Sequence, residues 1–167
     1  MFGVHSRAMA MIDLAESVGK ALFKDGVMMA AAESCTGGWI AQVVTSVPGS
    51  SQWFERGFVT YTNASKQELL GVASATLAAH GAVSEAVVKE MVSGALQNSA
   101  ADIAVAVSGI AGPDGGSPEK PVGTVWLAWQ KKGGNALAAQ FLFQGDRQQV
   151  REQAVRQALQ GVIELLQ

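Results

Sequence analysis

Four short segments collect the side chains of this chain that can do chemistry. The first is Glu33-Ser34-Cys35-Thr36-Gly37-Gly38. It sets two hydroxyls and a thiol side by side, and its glycines let a ligand approach the backbone closely. Where a strand turns into a helix, the first-turn N–H groups can hold an anion or an oxyanion. Ser34 is therefore a candidate nucleophile, with Thr36, Gly37 and Gly38 as candidate backbone donors. A plain helix cap followed by a tight glycine contact explains the same residues. The segment has neither the G-x-S-x-G elbow nor the Gly-Lys-Ser/Thr of a phosphate loop. Cys35 is a rival nucleophile, because a helix N-terminus lowers a thiol's pKa.

The second segment is Tyr61-Thr62-Asn63-Ala64-Ser65-Lys66. Asn63 reads as an N-cap, which puts Lys66 at the third helical position. A cation there opposes the macrodipole, and the same field lowers the lysine's pKa. A neutral amine can act as general base on a serine. The bland alternative is a lysine whose head reaches into water. Tyr61, the only tyrosine, can relay a proton, orient the lysine or simply pack.

The third segment runs from Ser108 through Gly109 and Gly112 to Gly116. A glycine-rich loop after a buried run suits phosphate or ribose contacts through backbone amides. It also suits a structural turn with a flexible tip. The fourth segment holds Arg147 and Arg151, four apart on one helix face, where they can clamp a phosphate. A solvated helix face is the alternative, above all for Arg151. His5 and His80 stand alone, and neither metal-ligand spacing nor a glycosidase carboxylate pair is apparent. No metal or organic cofactor is expected.

The elements that must position these residues follow from periodicity and turn signals. Residues 9–23 carry Ile12, Leu14, Val18 and Leu22 at helical spacing. Short apolar runs at 27–33, 53–62 and 102–108 predict strands. Helices are predicted over 36–47, 63–70 and 85–100, the last with Ser84 as N-cap. Residues 122–130 and 136–144 predict an antiparallel hairpin. A closing helix spans 146–166, with Asp146 and Gln149 as a capping box. The order implies an α/β fold, a three-layer α/β/α sandwich on a mixed, mostly parallel sheet of about five strands. Ligands bind beyond the carboxyl ends of the strands in such sheets. All four segments fall there.

Composition narrows the classes further. The chain has 167 residues, enough for one domain with a real core. Hydrophobic residues make up 49% and charged residues 16%, the balance of a globular chain. A net charge of -2 argues against non-specific nucleic-acid binding. The apolar stretch at 27–32 is too short to span a bilayer. The single cysteine allows no internal disulfide and fits a reducing, cytoplasmic setting. Trp126 and Trp129 face opposite sides of one strand. At least one should be partly exposed, which fits an oligomer interface and a homodimer.

Five motifs in order carry a resemblance. They are Ala-Glu-Ser-Cys-Thr-Gly-Gly, Val-Thr-Tyr-Thr-Asn-x-x-Lys, His-Gly-Ala-Val-Ser-Glu, Ser-Gly-Ile-Ala-Gly-Pro-Asp-Gly-Gly and Lys-Pro-Val-Gly-Thr-Val. Together they resemble the C-terminal domain family of the competence/damage-inducible protein CinA, across nearly the whole chain. The resemblance implies one amidohydrolase domain over residues 1–167. It implies hydrolysis of the carboxamide of nicotinamide mononucleotide to nicotinate mononucleotide and ammonia. It implies Ser34 as nucleophile, assisted by Lys66 and Tyr61. Asn63, Ser108, Gly109, Gly112 and Arg147 become candidate substrate-binding residues beside Thr36, Gly37 and Gly38. Ser65 stands where a different small or acidic residue is expected. A nucleotide-binding regulatory or partner protein without catalysis remains the alternative. A DNA-uptake accessory, suggested by the family name alone, is opposed by the acidic charge.

Overall fold

The structure is a computed structural model that describes residues 11–167 in full and the backbone of the first helix from Phe2. The side chain of His5 lies outside the described residues. The elements are α1 (Phe2–Asp25), β1 (Met29–Glu33), α2 (Trp39–Thr45), β2 (Phe54–Val59), α3 (Asn63–Leu70) and α4 (Ser74–His80). Then follow α5 (Glu85–Gln97), β3 (Ile103–Gly109), β4 (Thr124–Lys131), β5 (Leu137–Leu142) and α6 (Arg147–Leu166). The sheet order is β2-β1-β3-β4-β5. β1 pairs in parallel with β2 and β3, while β4 runs antiparallel to both its neighbours. Four of the five strands therefore point one way, which is the mixed, mostly parallel sheet that the sequence implies.

Strand alternation decides which helices cover which face. β3 reads Ile-Ala-Val-Ala-Val, so the larger side chains of 103, 105 and 107 point one way and Ala104 and Ala106 the other. The larger residues join Ala31, Leu127 and Trp129 beneath α1, α2 and α6. The alanines join Ala30, Ala32 and Ala128 beneath α3, α4 and α5. Small residues let α5 approach the sheet closely. Each fully buried valine or leucine on the larger face stabilises by about 1.5–3 kcal/mol. Gly94 of α5 abuts the backbone of Leu70 at the end of α3, and a Cβ at position 94 would collide with that carbonyl.

Three local features differ from what the sequence predicts. In α1 the buried stripe is Met11, Ala15, Val18 and Leu22, while Ile12 is exposed. Ala15 keeps the 3.6-residue period that Leu14 breaks. α2 starts at Trp39 rather than 36, because Gly37 and Gly38 take φ of 62° and 101°, which no right-handed helix contains. α4 is an additional short helix. Its N-cap is Ala73, which offers no side-chain capping bond, so the usual start signal is missing. His80 closes it, as its position before Gly81 predicts.

Candidate active site

The last paired positions at one edge of the sheet set Glu33 opposite Val59 and Val107. One residue further on, the chain brings Thr60, Ser34 and Ser108 side by side. They follow Phe58, Ala32 and Ala106 on the face covered by α3 and α5. Ser34 is 7% exposed and Ser108 1%.

Lys66 reaches this row from α3. Its Nζ donates to Ser34 Oγ at 3.0 Å and to the Tyr61 carbonyl at 3.2 Å. The lysine is buried, and its pKa is lowered chiefly by desolvation of the ammonium, with Cys35 acting in the opposite sense. The N-cap is Thr62 rather than Asn63, so Lys66 occupies the fourth helical position, and desolvation rather than the macrodipole is the main cause of the lowering. Ser65, the apparent departure, completes a capping box with Thr62. A helix that caps itself leaves the lysine side chain free for the serine.

The serine turn is held from both sides. Glu33 is fully buried and accepts from Thr36 Oγ1 at 2.6 Å, Ile40 N at 2.9 Å and Ala41 N at 3.0 Å. Its carboxylate occupies the first-turn donors of α2, so those N–H groups are not open to an anion. Gly37 N donates to the Ser34 carbonyl. From the other side Arg151 Nε donates to the Cys35 carbonyl at 3.0 Å and Nη2 to the Thr36 carbonyl at 3.2 Å. Cys35 is buried, and desolvation pushes its thiol up to about 12, against partial opposition from Arg151 and Lys66. The lowered thiol pKa expected from the sequence is thus reversed. At neutral pH that side chain is a protonated wall.

A cavity of about 190 Å³ lies over these groups. Ser34, Lys66, Tyr61, Asn63, Ser108, Gly109 and Arg147 all line it. Thr36, Gly37, Gly38 and Gly112 do not line it. The first three form the turn behind it, and the Gly112 carbonyl accepts from Arg147 Nη1 at 2.8 Å. The Tyr61 phenol is exposed and accepts from Arg147 Nη2 at 3.2 Å, so tyrosine touches lysine through its carbonyl, not its hydroxyl. Arg147 is the first residue of α6, behind the Asp146–Gln149 capping box. Larger surface concavities of about 510 and 490 Å³ run along α6 but do not contain the serine. Sequence reasoning misses Ala82, Val83 and Ala111 in the lining and the cap made by Glu33. A charge ending a wholly buried run was the available signal for Glu33. Among the described residues no group of three His, Cys, Asp or Glu can hold a metal, and no helix is long and apolar enough to cross a membrane.

A serine hydroxyl, a desolvated amine within hydrogen-bond reach and a closed turn beside them meet the requirements of nucleophilic hydrolysis. Residues 11–166 match the model of the CinA C-terminal domain, and the chain belongs to that family. It is 57% identical over 150 residues to the nicotinamide-nucleotide amidohydrolase PncC of Escherichia coli K12, covering 90% of this chain and 91% of that one. The enzyme of the same name from Pseudomonas putida is 53% identical over 152 residues, with 91% and 94% covered. The crystal structure of the competence/damage inducible protein from Agrobacterium tumefaciens superposes with a TM-score of 0.92 at 46% identity, covering 94% of this chain and 96% of that one.

Proposed function

We propose that this protein hydrolyses the carboxamide of nicotinamide mononucleotide, giving nicotinate mononucleotide and ammonia. The observation that carries the reading is Lys66 Nζ at 3.0 Å from Ser34 Oγ inside a cavity, in a chain so similar to enzymes of that name. Lys66, favoured as the neutral amine, takes the Ser34 proton directly. Ser34 Oγ bonds to the carboxamide carbon, and backbone N–H groups of the serine turn receive the oxyanion. Lys66 returns the proton to the departing nitrogen and ammonia leaves. Water, deprotonated by the same lysine, then cleaves the acyl-serine ester and restores Ser34.

The cavity is smaller than the roughly 300–1,000 Å³ of drug-sized sites, so it suits the reacting end of a nucleotide whose phosphate stays outside. Arg147 stands at that mouth. A guanidinium has five N–H donors, so its bonds to Gly112 and Tyr61 leave some for an anion. Tyr61 and Asn63 border the same opening, and Ser108 and Gly109 form its floor. In this reading Tyr61 orients Arg147 and supplies a carbonyl to Lys66. No metal or organic cofactor is required.

We further read residues 1–167 as one domain acting in the cytoplasm as a homodimer. The exposed Leu137 and Leu142 on edge strand β5 support the dimer, and sedimentation at micromolar concentration tests it. The central test is ammonia release from nicotinamide mononucleotide by wild type and Ser34→Ala. Turnover lost in the variant, with an unchanged melting temperature, is expected. Absence of turnover in wild type, with the mononucleotide still raising the melting temperature, would point instead to a binding protein.

A further inference from the structure

We infer that Arg151 is a positioning residue that fixes the backbone of the serine turn, and with it the place of Ser34 and of the oxyanion formed when it reacts. The inference rests on the amidohydrolase reading above. Arg151 does not line the cavity and so does not touch substrate. What it touches is the backbone of the serine turn, at the Cys35 and Thr36 carbonyls.

Arg151 approaches from α6, which covers the sheet face of Ala31 and Val107. Ser34 and Lys66 lie toward the other face, beside Ala32, α3 and α5. Holding the Cys35 and Thr36 carbonyls from the α6 side therefore fixes the turn from behind, away from the cavity that Ser34 lines. The turn is tied at its ends as well, by Ser34 N on the Val107 carbonyl, Gly37 N on the Ser34 carbonyl, and Ile40 and Ala41 N on Glu33.

Three further contacts make this turn rigid. Thr36 Oγ1 is tied to Glu33. The guanidinium sits 5.3 Å from the centroid of Trp39, and its Nη1 donates to Gln148 Oε1 at 3.2 Å. A nucleophile and an oxyanion site that need no reorganisation contribute most to such a reaction.

The experiment compares wild type, Arg151→Ala and Arg151→Lys in two assays. With nicotinamide mononucleotide, Arg151→Ala is expected to lower kcat about 10- to 100-fold, somewhat less than outright loss of a donor. KM should stay nearly unchanged, guanidinium ion at millimolar concentration should restore part of kcat, and Arg151→Lys should fall in between. The second assay follows phosphonylation of Ser34 by a fluorophosphonate, which also builds negative charge on oxygen but needs no nucleotide. Its rate should fall in parallel. Unchanged kcat in Arg151→Ala overturns the inference. So does a fall in kcat without guanidinium rescue and with unchanged phosphonylation, which marks a merely structural arginine. If wild type does not turn over the mononucleotide yet phosphonylation still depends on Arg151, the substrate reading fails and the positioning role stands. Should Arg151→Ala not fold, Arg151→Lys carries both assays.

Discussion

Two strand-to-helix junctions border the same cavity and are finished in opposite ways. Between β2 and α3 the helix caps itself, with Thr62 and Ser65 exchanging hydrogen bonds across its first turn. Between β1 and α2 the cap is brought from outside, by the buried Glu33 carboxylate at the end of the strand. The self-capped junction releases a side chain, Lys66, to reach Ser34. The externally capped one releases a stretch of backbone, the turn over residues 34–38, from any duty inside the helix. Desolvation acts on both with contrasting results. It favours the neutral amine of Lys66, the form a base needs, and the neutral thiol of Cys35, the form that does not attack. Burial of a titratable group activates a base and silences a nucleophile.

Substitutions can break each half of this contrast. The largest effect is expected from Lys66→Met, which should lower ammonia release by roughly 10²- to 10⁴-fold, as for loss of a general base. The same variant should be more stable than wild type. A lysine whose folded pKa is lowered binds fewer protons folded than unfolded, so wild-type stability rises with pH toward the ordinary value of 10.5. The advantage of Lys66→Met should therefore be fullest at pH below the lowered folded value and fade as pH rises to 10.5. Urea unfolding across the range checks this. In wild type the rising limb of kcat/KM should also lie below 10.5.

Next comes Glu33→Ala. It leaves two backbone donors and the Thr36 hydroxyl unpartnered and should cost on the order of 3 kcal/mol in urea unfolding. A cost below about 1 kcal/mol would mean that α2 does not depend on its outside cap. Thr62→Ala should cost only about 1 kcal/mol, because a single cap on an exposed turn is lost. The smallest effect belongs to Cys35→Ala, whose kcat should stay within about 3-fold of wild type, under ~1 kcal/mol in barrier. Wild type should correspondingly resist iodoacetamide at pH 7. Rapid alkylation with loss of activity would undo the contrast between thiol and amine.

Much of this was legible in the chain, and the failures have physical causes. The alternation Ile-Ala-Val-Ala-Val marks β3 and even its two faces. Asp146 and Gln149 announce α6 because the capping box is a local, three-residue signal. Ser34 and Lys66 are each visible as strand-end residues, but their bond spans 32 positions and exists only once β1 and β2 lie side by side. Thr62 and Asn63 are both good N-caps, and only the backbone chooses between them. A serine at the third helical position closes the box less recognisably than the usual Glu or Gln. The role of Glu33 was hidden because it depends on α2 starting late, which in turn depends on two successive glycines at positive φ. The four-residue spacing of Arg147 and Arg151 predicts a pair on one helix face. The fold separates them, sending one guanidinium to the mouth of the cavity and the other beneath the turn.

The tight contact between Gly94 and Leu70 gives the Lys66–Ser34 contact a distant point of failure. Lys66 and Leu70 lie on the same short helix, so a side chain at 94 that pushes the end of α3 outward also tilts its first turns. A screen for inactive alleles should thus recover changes at Gly94 together with those at Ser34 and Lys66, although Gly94 does not line the cavity. Such alleles would mark heredity's record of a lever, one glycine wide, between the helix layer and the reaction.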